Sequence, residues 1–123
     1  MGGRVTVRRA NLQGCGDKGV SVGENAEAAI FQIRVQGAIT GVAAKDGSRV
    51  SIEGSTFENS KIHFDGYKKN WRYGSAKASI HAINSKFRGN KNLFQTDKFA
   101  SIVLDSPEFF GEYSYTGNVA LKH

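Results

Sequence analysis

Apolar residues fall two apart in short runs along this chain, and a third apolar residue follows after a small polar patch. Arg49-Val50-Ser51-Ile52-Glu53-Gly54-Ser55-Thr56-Phe57 is the cleanest copy, and Ser79-Ile80-His81-Ala82-Ile83-Asn84-Ser85-Lys86-Phe87 is the next. Arg4-Val5-Thr6-Val7 leads to Leu12, and Ser101-Ile102-Val103-Leu104 leads through Asp105-Ser106-Pro107-Glu108 to Phe109. A degenerate copy runs from Phe31-Gln32-Ile33 to Ala38. Alternation over three to five residues predicts a short strand with one buried face, because successive side chains of a strand point to opposite sides. A second strand signal follows each copy: Gly19-Val20-Ser21-Val22, Gly41-Val42-Ala43-Ala44, Ile62-His63-Phe64, Leu93-Phe94 and Tyr113-Ser114-Tyr115.

The copies begin at residues 5, 31, 50, 80 and 102, so the spacings are 26, 19, 30 and 22. A repeat of this length with two short strands cannot bury its apolar face alone, and stacking in parallel is the solution. The inward residues then form ladders. Val5, Phe31, Val50, Ile80 and Ile102 make one; Val7, Ile33, Ile52, Ala82 and Leu104 a second; Leu12, Ala38, Phe57, Phe87 and Phe109 a third. The expected fold is all-β: a right-handed parallel β-helix of about five short coils, one domain spanning 1–123. An antiparallel β-sandwich is the alternative, since alternating strands and glycine turns fit it too.

Composition sharpens this picture. Fifteen glycines beside one proline suit many tight turns between short strands. The single cysteine, Cys15, excludes an internal disulfide and a multi-cysteine metal site. Apolar runs such as Ala28-Ala29-Ile30-Phe31 are far too short for a membrane helix, and Met1-Gly2-Gly3-Arg4-Val5 has no apolar leader core, so cytoplasmic location is the default expectation.

The segment Gly41-Val42-Ala43-Ala44-Lys45-Asp46-Gly47-Ser48-Arg49-Val50-Ser51-Ile52-Glu53-Gly54-Ser55-Thr56-Phe57-Glu58-Asn59-Ser60 resembles one coil of the right-handed β-helix repeats of the pectin-lyase-like superfamily. The phrase from Gly14-Cys15-Gly16-Asp17 through Lys18-Gly19-Val20-Ser21-Val22 to Gly23-Glu24 is similar to a turn and strand that recur in bacterial proteins of that architecture. The resemblance spans nearly the whole chain and implies a fold. It does not imply one activity, because such coils serve polysaccharide lyases, glycoside hydrolases, phage tailspikes and inert structural repeats alike. The enzymes are several times longer and carry an N-terminal capping helix, which this sequence does not predict.

A lyase needs a cation against a uronate carboxylate and a base for the α-proton. The eleven acids are scattered, with no Asp-Asp or Asp-x-Asp pair of the hydrolase kind. His63 and His81 lie in alternating strands and are expected to point outward, and His123 is terminal. No metal or cofactor is expected.

The net charge of +6 favours anionic partners. Residues 61–92 hold eight Lys/Arg against Asp65 alone, a local balance of +7; the rest of the chain, with nine Lys/Arg and ten Asp/Glu, sums to −1. Within this stretch Asp65-Gly66-Tyr67-Lys68-Lys69-Asn70-Trp71-Arg72-Tyr73-Gly74 interleaves aromatics with cations. Aromatic faces stack on sugars or bases, and cations meet carboxylates, sulfates or phosphates. The candidate ligand-binding residues are Tyr67, Lys68, Lys69, Trp71, Arg72 and Tyr73, with Lys86 and Arg88 expected near them on the following coil. The competing expectation is that the three aromatics cover a solenoid face or an oligomer contact. The functional expectation is a non-enzymatic binding module for acidic polysaccharide that self-associates as a two-fold dimer. A polysaccharide-acting enzyme, or a fragment of one, is the alternative. Nucleic acid is set aside for want of a recognised motif, and no membrane partner is expected.

Overall fold

The computed structural model describes residues 3–13, 16–23, 25–68 and 77–122. Among these residues every regular element is a strand. Each coil contributes one strand to a first sheet: β1 (Arg4–Arg8), β4 (Glu27–Phe31), β7 (Arg49–Glu53), β10 (Ala78–Ile83), β12 (Ala100–Asp105) and β14 (Val119–Lys122), hydrogen-bonded in that order. The chain then bends and lays two more segments on a second sheet. These are β2 (Asn11–Gln13) with β3 (Lys18–Val22), β5 (Arg34–Gln36) with β6 (Thr40–Lys45), and β8 (Thr56–Glu58) with β9 (Ile62–Tyr67). In the next two coils the segments merge into single long strands, β11 (Lys86–Thr96) and β13 (Glu108–Thr116). The pairings among the described strands are parallel. The chain is therefore a parallel β-solenoid of about five turns, with β14 laid on β12 as the start of another. This disposes of the antiparallel sandwich.

Register confirms most of the ladders and corrects one coil. Val5 pairs with Ala28, Ala28 with Val50, Val50 with Ile80 and Ile80 with Ile102. Val7, Ile30, Ile52, Ala82 and Leu104 form the second ladder, and Leu12, Val35, Phe57, Phe87 and Phe109 the third. In the second coil the rungs are thus Ala28, Ile30 and Val35, three residues before the expected Phe31, Ile33 and Ala38. The cause is Gln32, whose φ of 54° ends β4 and starts the bend. Phe31 consequently faces outward, half-buried, with the Arg8 guanidinium 4.4 Å from its ring centre. Ile33 and Ala38 are buried, but at bends between strands. Counted from 5, 28, 50, 80 and 102, the coils run 23, 22, 30 and 22 residues, more even than first read.

The bend itself is a repeated device. Arg9, Gln32, Gly54, Asn84 and Ser106 all take left-handed backbone, with φ between 50° and 61°. Each donates its N–H to the carbonyl one coil on: Arg9 to Phe31, Gln32 to Glu53, Gly54 to Ile83, Asn84 to Asp105 and Ser106 to Lys122. Ser55 and Ser85 follow the bend and are buried; their hydroxyls accept the N–H of Ile33 (3.1 Å) and of Ser55 (3.3 Å). Buried backbone donors must find acceptors, and the serines supply them where the ladder turns away.

The core thickens with aromatics in the middle coils. Phe87 stacks on Phe57 (5.6 Å between ring centres) and Phe109 (5.7 Å), and meets Phe64 and Phe94 edge-on at 5.4 and 4.9 Å. Room for these rings comes partly from Gly41, where a Cβ would lie 2.6 Å from the His63 carbonyl oxygen and 3.4 Å from Phe57.

Candidate functional site

Of the residues singled out from sequence, Lys69, Trp71, Arg72 and Tyr73 lie outside the described residues, as do Cys15 and His123. Tyr67 ends β9, half-buried and in register with Lys45 of the coil before it; its carbonyl accepts the Asp46 N–H. The Lys68 N–H donates to Asp97 Oδ2 at 2.8 Å, and its ammonium lies 4.8 Å from the Phe99 ring centre. Asp97 also accepts the Phe99 N–H at 2.8 Å, so this carboxylate ties its own turn in the fourth coil to the end of β9 in the third.

Beside Tyr67 is a shallow cavity of about 390 Å³ lined by Asp65, Tyr67, Gln95, Thr96, Asp97 and Thr116. Burial pushes the Asp65 carboxyl above the usual carboxylate range; a hydrogen bond from Gln95 opposes this, the Asp97 charge adds to it, and Lys18 offsets it.

Lys86 and Arg88 are elsewhere. They begin β11, whereas the cavity beside Tyr67 faces the end of that strand, at Gln95 and Thr96. The bend at Asn84 sends the chain onto the second sheet before Lys86 is reached, so both cations begin β11 while Gly66, next to Tyr67, pairs with Thr96 at its far end. Both project from a polar ladder on the outer face. Gln13 Nε2 donates to Gln36 (2.7 Å), and Gln36 Nε2 donates to Glu58 (2.9 Å). Arg34 donates to both Glu58 oxygens at 2.9 and 3.1 Å. Hydrogen bonds from Gln36 and Arg34 hold Glu58 below the usual range. Arg88 follows Glu58 in register, its guanidinium 4.5 Å from the Phe110 ring centre.

His81 is exposed, as expected, but His63 is not. His63 is fully buried in the aromatic core, its ring 5.4 Å from Phe87 and 5.7 Å from Phe94. Nε2 is 2.6 Å from Asn92 Oδ1, and the Asn92 amide donates onward to the Glu112 carbonyl at 3.0 Å. Burial lowers the imidazole's pKa, and the Asn92 contact opposes this only in part. A neutral ring donating from Nε2 satisfies Asn92, and Nδ1 is left with no partner.

Sequence reasoning also passed over the bend between the two segments of the second sheet. Asn59, Ser60 and Lys61 of one coil lie there with Gly89, Asn90 and Lys91 of the next, around a depression of about 460 Å³. The echo between Asn59-Ser60-Lys61 and Gly89-Asn90-Lys91 was the available signal. Among the described residues no three of His, Cys, Asp and Glu come together as a metal site. Comparison of the chain with family models, curated proteins and solved structures finds no match.

Proposed function

We propose that this solenoid is a non-enzymatic binding module whose ligand is an acidic polysaccharide, with architectural kinship to the right-handed β-helices of the pectin-lyase-like superfamily. The observation that carries the reading is the confinement of charge. The +7 of residues 61–92 belongs to two consecutive coils, while the remainder of the chain sums to −1. A polyanion meeting such a band gains from several cations at once, and the gain is screened by salt. The aromatics at 67, 71 and 73 supply faces for sugar rings. Retention on immobilised heparin, eluted by salt, tests this. Replacing Lys68, Lys69 and Arg72 with alanine is expected to move elution to distinctly lower salt, and an unchanged elution point would sink the loop's role.

The same reading includes self-association. Tyr113 and Tyr115 of β13 continue the buried Asn92 and Phe94 of β11, yet are 47% and 51% exposed, aromatic rings of the kind enriched in protein contacts.

Asp65 favours a second reading, an enzyme on polysaccharide: a carboxyl raised by burial beside another carboxylate in a cavity is a general-acid arrangement. Unsaturated-uronate absorbance on pectate, alginate and glycosaminoglycans, together with reducing-end release, separates the two. The module reading expects silence, and turnover abolished by Asp65→Asn would replace it.

A further inference from the structure

The depression at the second-sheet bend has the chemistry of a binding site in its own right. Its lining includes Lys61 and Lys91, the amides of Asn59 and Asn90, and Ile39, which is 51% exposed. No Asp or Glu lines it. Neither lysine pairs with a carboxylate among the described residues, although Glu112 is in register with Lys91 one coil on. The acid on the adjoining outer face, Glu58, is engaged by Arg34 and Gln36. Ser60 supplies an independent observation. It lines the depression, is 5% exposed, and its buried hydroxyl has no hydrogen-bond partner in the protein. A buried hydroxyl without a partner is costly, and such orphans call for explanation; of the three buried polar atoms without a partner among the described residues, the others being Ser48 Oγ and His63 Nδ1, Ser60 Oγ is the one that lines this depression.

The backbone shapes the hollow. Asn59 is left-handed, with φ of 53°. Opposite it, β11 carries a bulge: Arg88 pairs with Phe110 and Lys91 with Glu112, so Gly89 and Asn90 face Gly111 alone. Bulges re-aim side chains, and this one falls where Asn90 and Lys91 line the depression with Lys61. The lining spans three coils, from Ile39 through Lys61 to Lys91, and adjacent strands are about 4.8 Å apart, so the site is about 10 Å long. That is the reach of a disaccharide.

We propose that this bend is a subsite for one acidic sugar unit and its neighbour, separate from the 65–74 loop. Lys61 and Lys91 meet the carboxylate or sulfate. The amides of Asn59 and Asn90, with the Ser60 hydroxyl, take sugar hydroxyls, and Ile39 packs on the apolar ring face. The assignment rests on the acidic-polysaccharide reading for its ligand class.

Amide-resolved NMR titration of the full chain tests it, using a sulfated disaccharide, a non-sulfated uronate disaccharide and neutral cellobiose as probes. Saturable shifts at residues 59–61 and 89–91 are expected with one or both acidic probes, and which one responds identifies sulfate or carboxylate as the group read. Lys61→Gln with Lys91→Gln is expected to weaken the response about tenfold or more, charge-assisted contacts being what is lost, while the rest of the spectrum stays in place. The proposal falls if wild type shows no saturable shift there, if cellobiose matches the acidic probes, or if the double variant titrates like wild type. Heparin-retained protein without shifts at the bend sinks the subsite alone. Shifts at the bend with retention indifferent to the loop variant sink the loop reading alone.

Discussion

His63 is a titratable side chain placed where only a neutral ring belongs, among Phe57, Phe64, Phe87 and Phe94. Burial holds its folded pKa below the unfolded value of 6.5, so the unfolded chain binds the proton more readily than the native state does. Its contribution to stability is therefore complete above about pH 6.5 and is lost as the pH falls below that value, by at most about 1.4 kcal/mol per pH unit. Urea midpoints of wild type are expected to fall between pH 7.5 and 5.5 more steeply than those of His63→Gln, which keeps an amide donor for Asn92 without the titration. Parallel pH slopes for the two proteins would remove this residue from the acid response. Alternation misread His63 for a local reason. The pleat rule holds within a straight strand, but β9 begins at a bend, where the consecutive residues His63 and Phe64 are both buried and Gly41 in the coil below lets the His63 carbonyl approach closely.

At the scale of elements, the decisive part is the bend. Four of its five residues, Arg9, Gln32, Asn84 and Ser106, carry side chains in a region of backbone space that costs an ordinary residue about 1–2 kcal/mol. Gly54 occupies the same position without that cost. Gln32→Gly is expected to leave the fold intact and shift the urea midpoint upward or leave it unmoved, since relief of strain opposes the entropy of an added glycine. Gln32→Val, stiff at the Cβ, is expected to lower the midpoint, with a loss of about 1–2 kcal/mol of stability. Equal midpoints for the two variants would mean that the bend is not set by local backbone preference. This device also marks the boundary of what the sequence made legible. The copies at 50, 80 and 102 announced their rungs because Val50 and Ile52, Ile80, and Ile102 and Leu104 stood inward, with polar Ser51 and His81 alternating in the first two. In the second coil Ala28 is a weak apolar mark and Phe31 a strong one, so the eye slides three residues, and nothing in Gln32 announces a left-handed bend. That Lys86 and Arg88 begin β11 while Tyr67 lies near its far end was hidden for the same reason: nearness depends on which side of the bend a residue falls, a fact of topology that spacing along the chain does not carry. The depression around Lys61 and Lys91 was missed because its parts are single residues contributed by successive coils.

For the whole molecule, charge and aromatics separate along the stack. The cationic band belongs to the third and fourth coils, and the exposed rings Phe110, Tyr113 and Tyr115 belong to the fifth. Tyr113→Asp with Tyr115→Asp is expected to convert a dimer into a monomer in sedimentation velocity while leaving the β-sheet circular dichroism unchanged; a wild type that sediments as a monomer across the micromolar range dismisses self-association through this surface. Because each coil, among the described residues, hydrogen-bonds to its neighbours alone, the molecule behaves as a one-dimensional array whose parts report to the next rung and no further. The third coil, 30 residues from Val50 to Ile80, docks its strands in the same register as coils of 22. The eight additional residues change nothing in the ladder. Heredity can therefore treat length between β9 and β10 as a free text while the grammar of the stack is passed on intact.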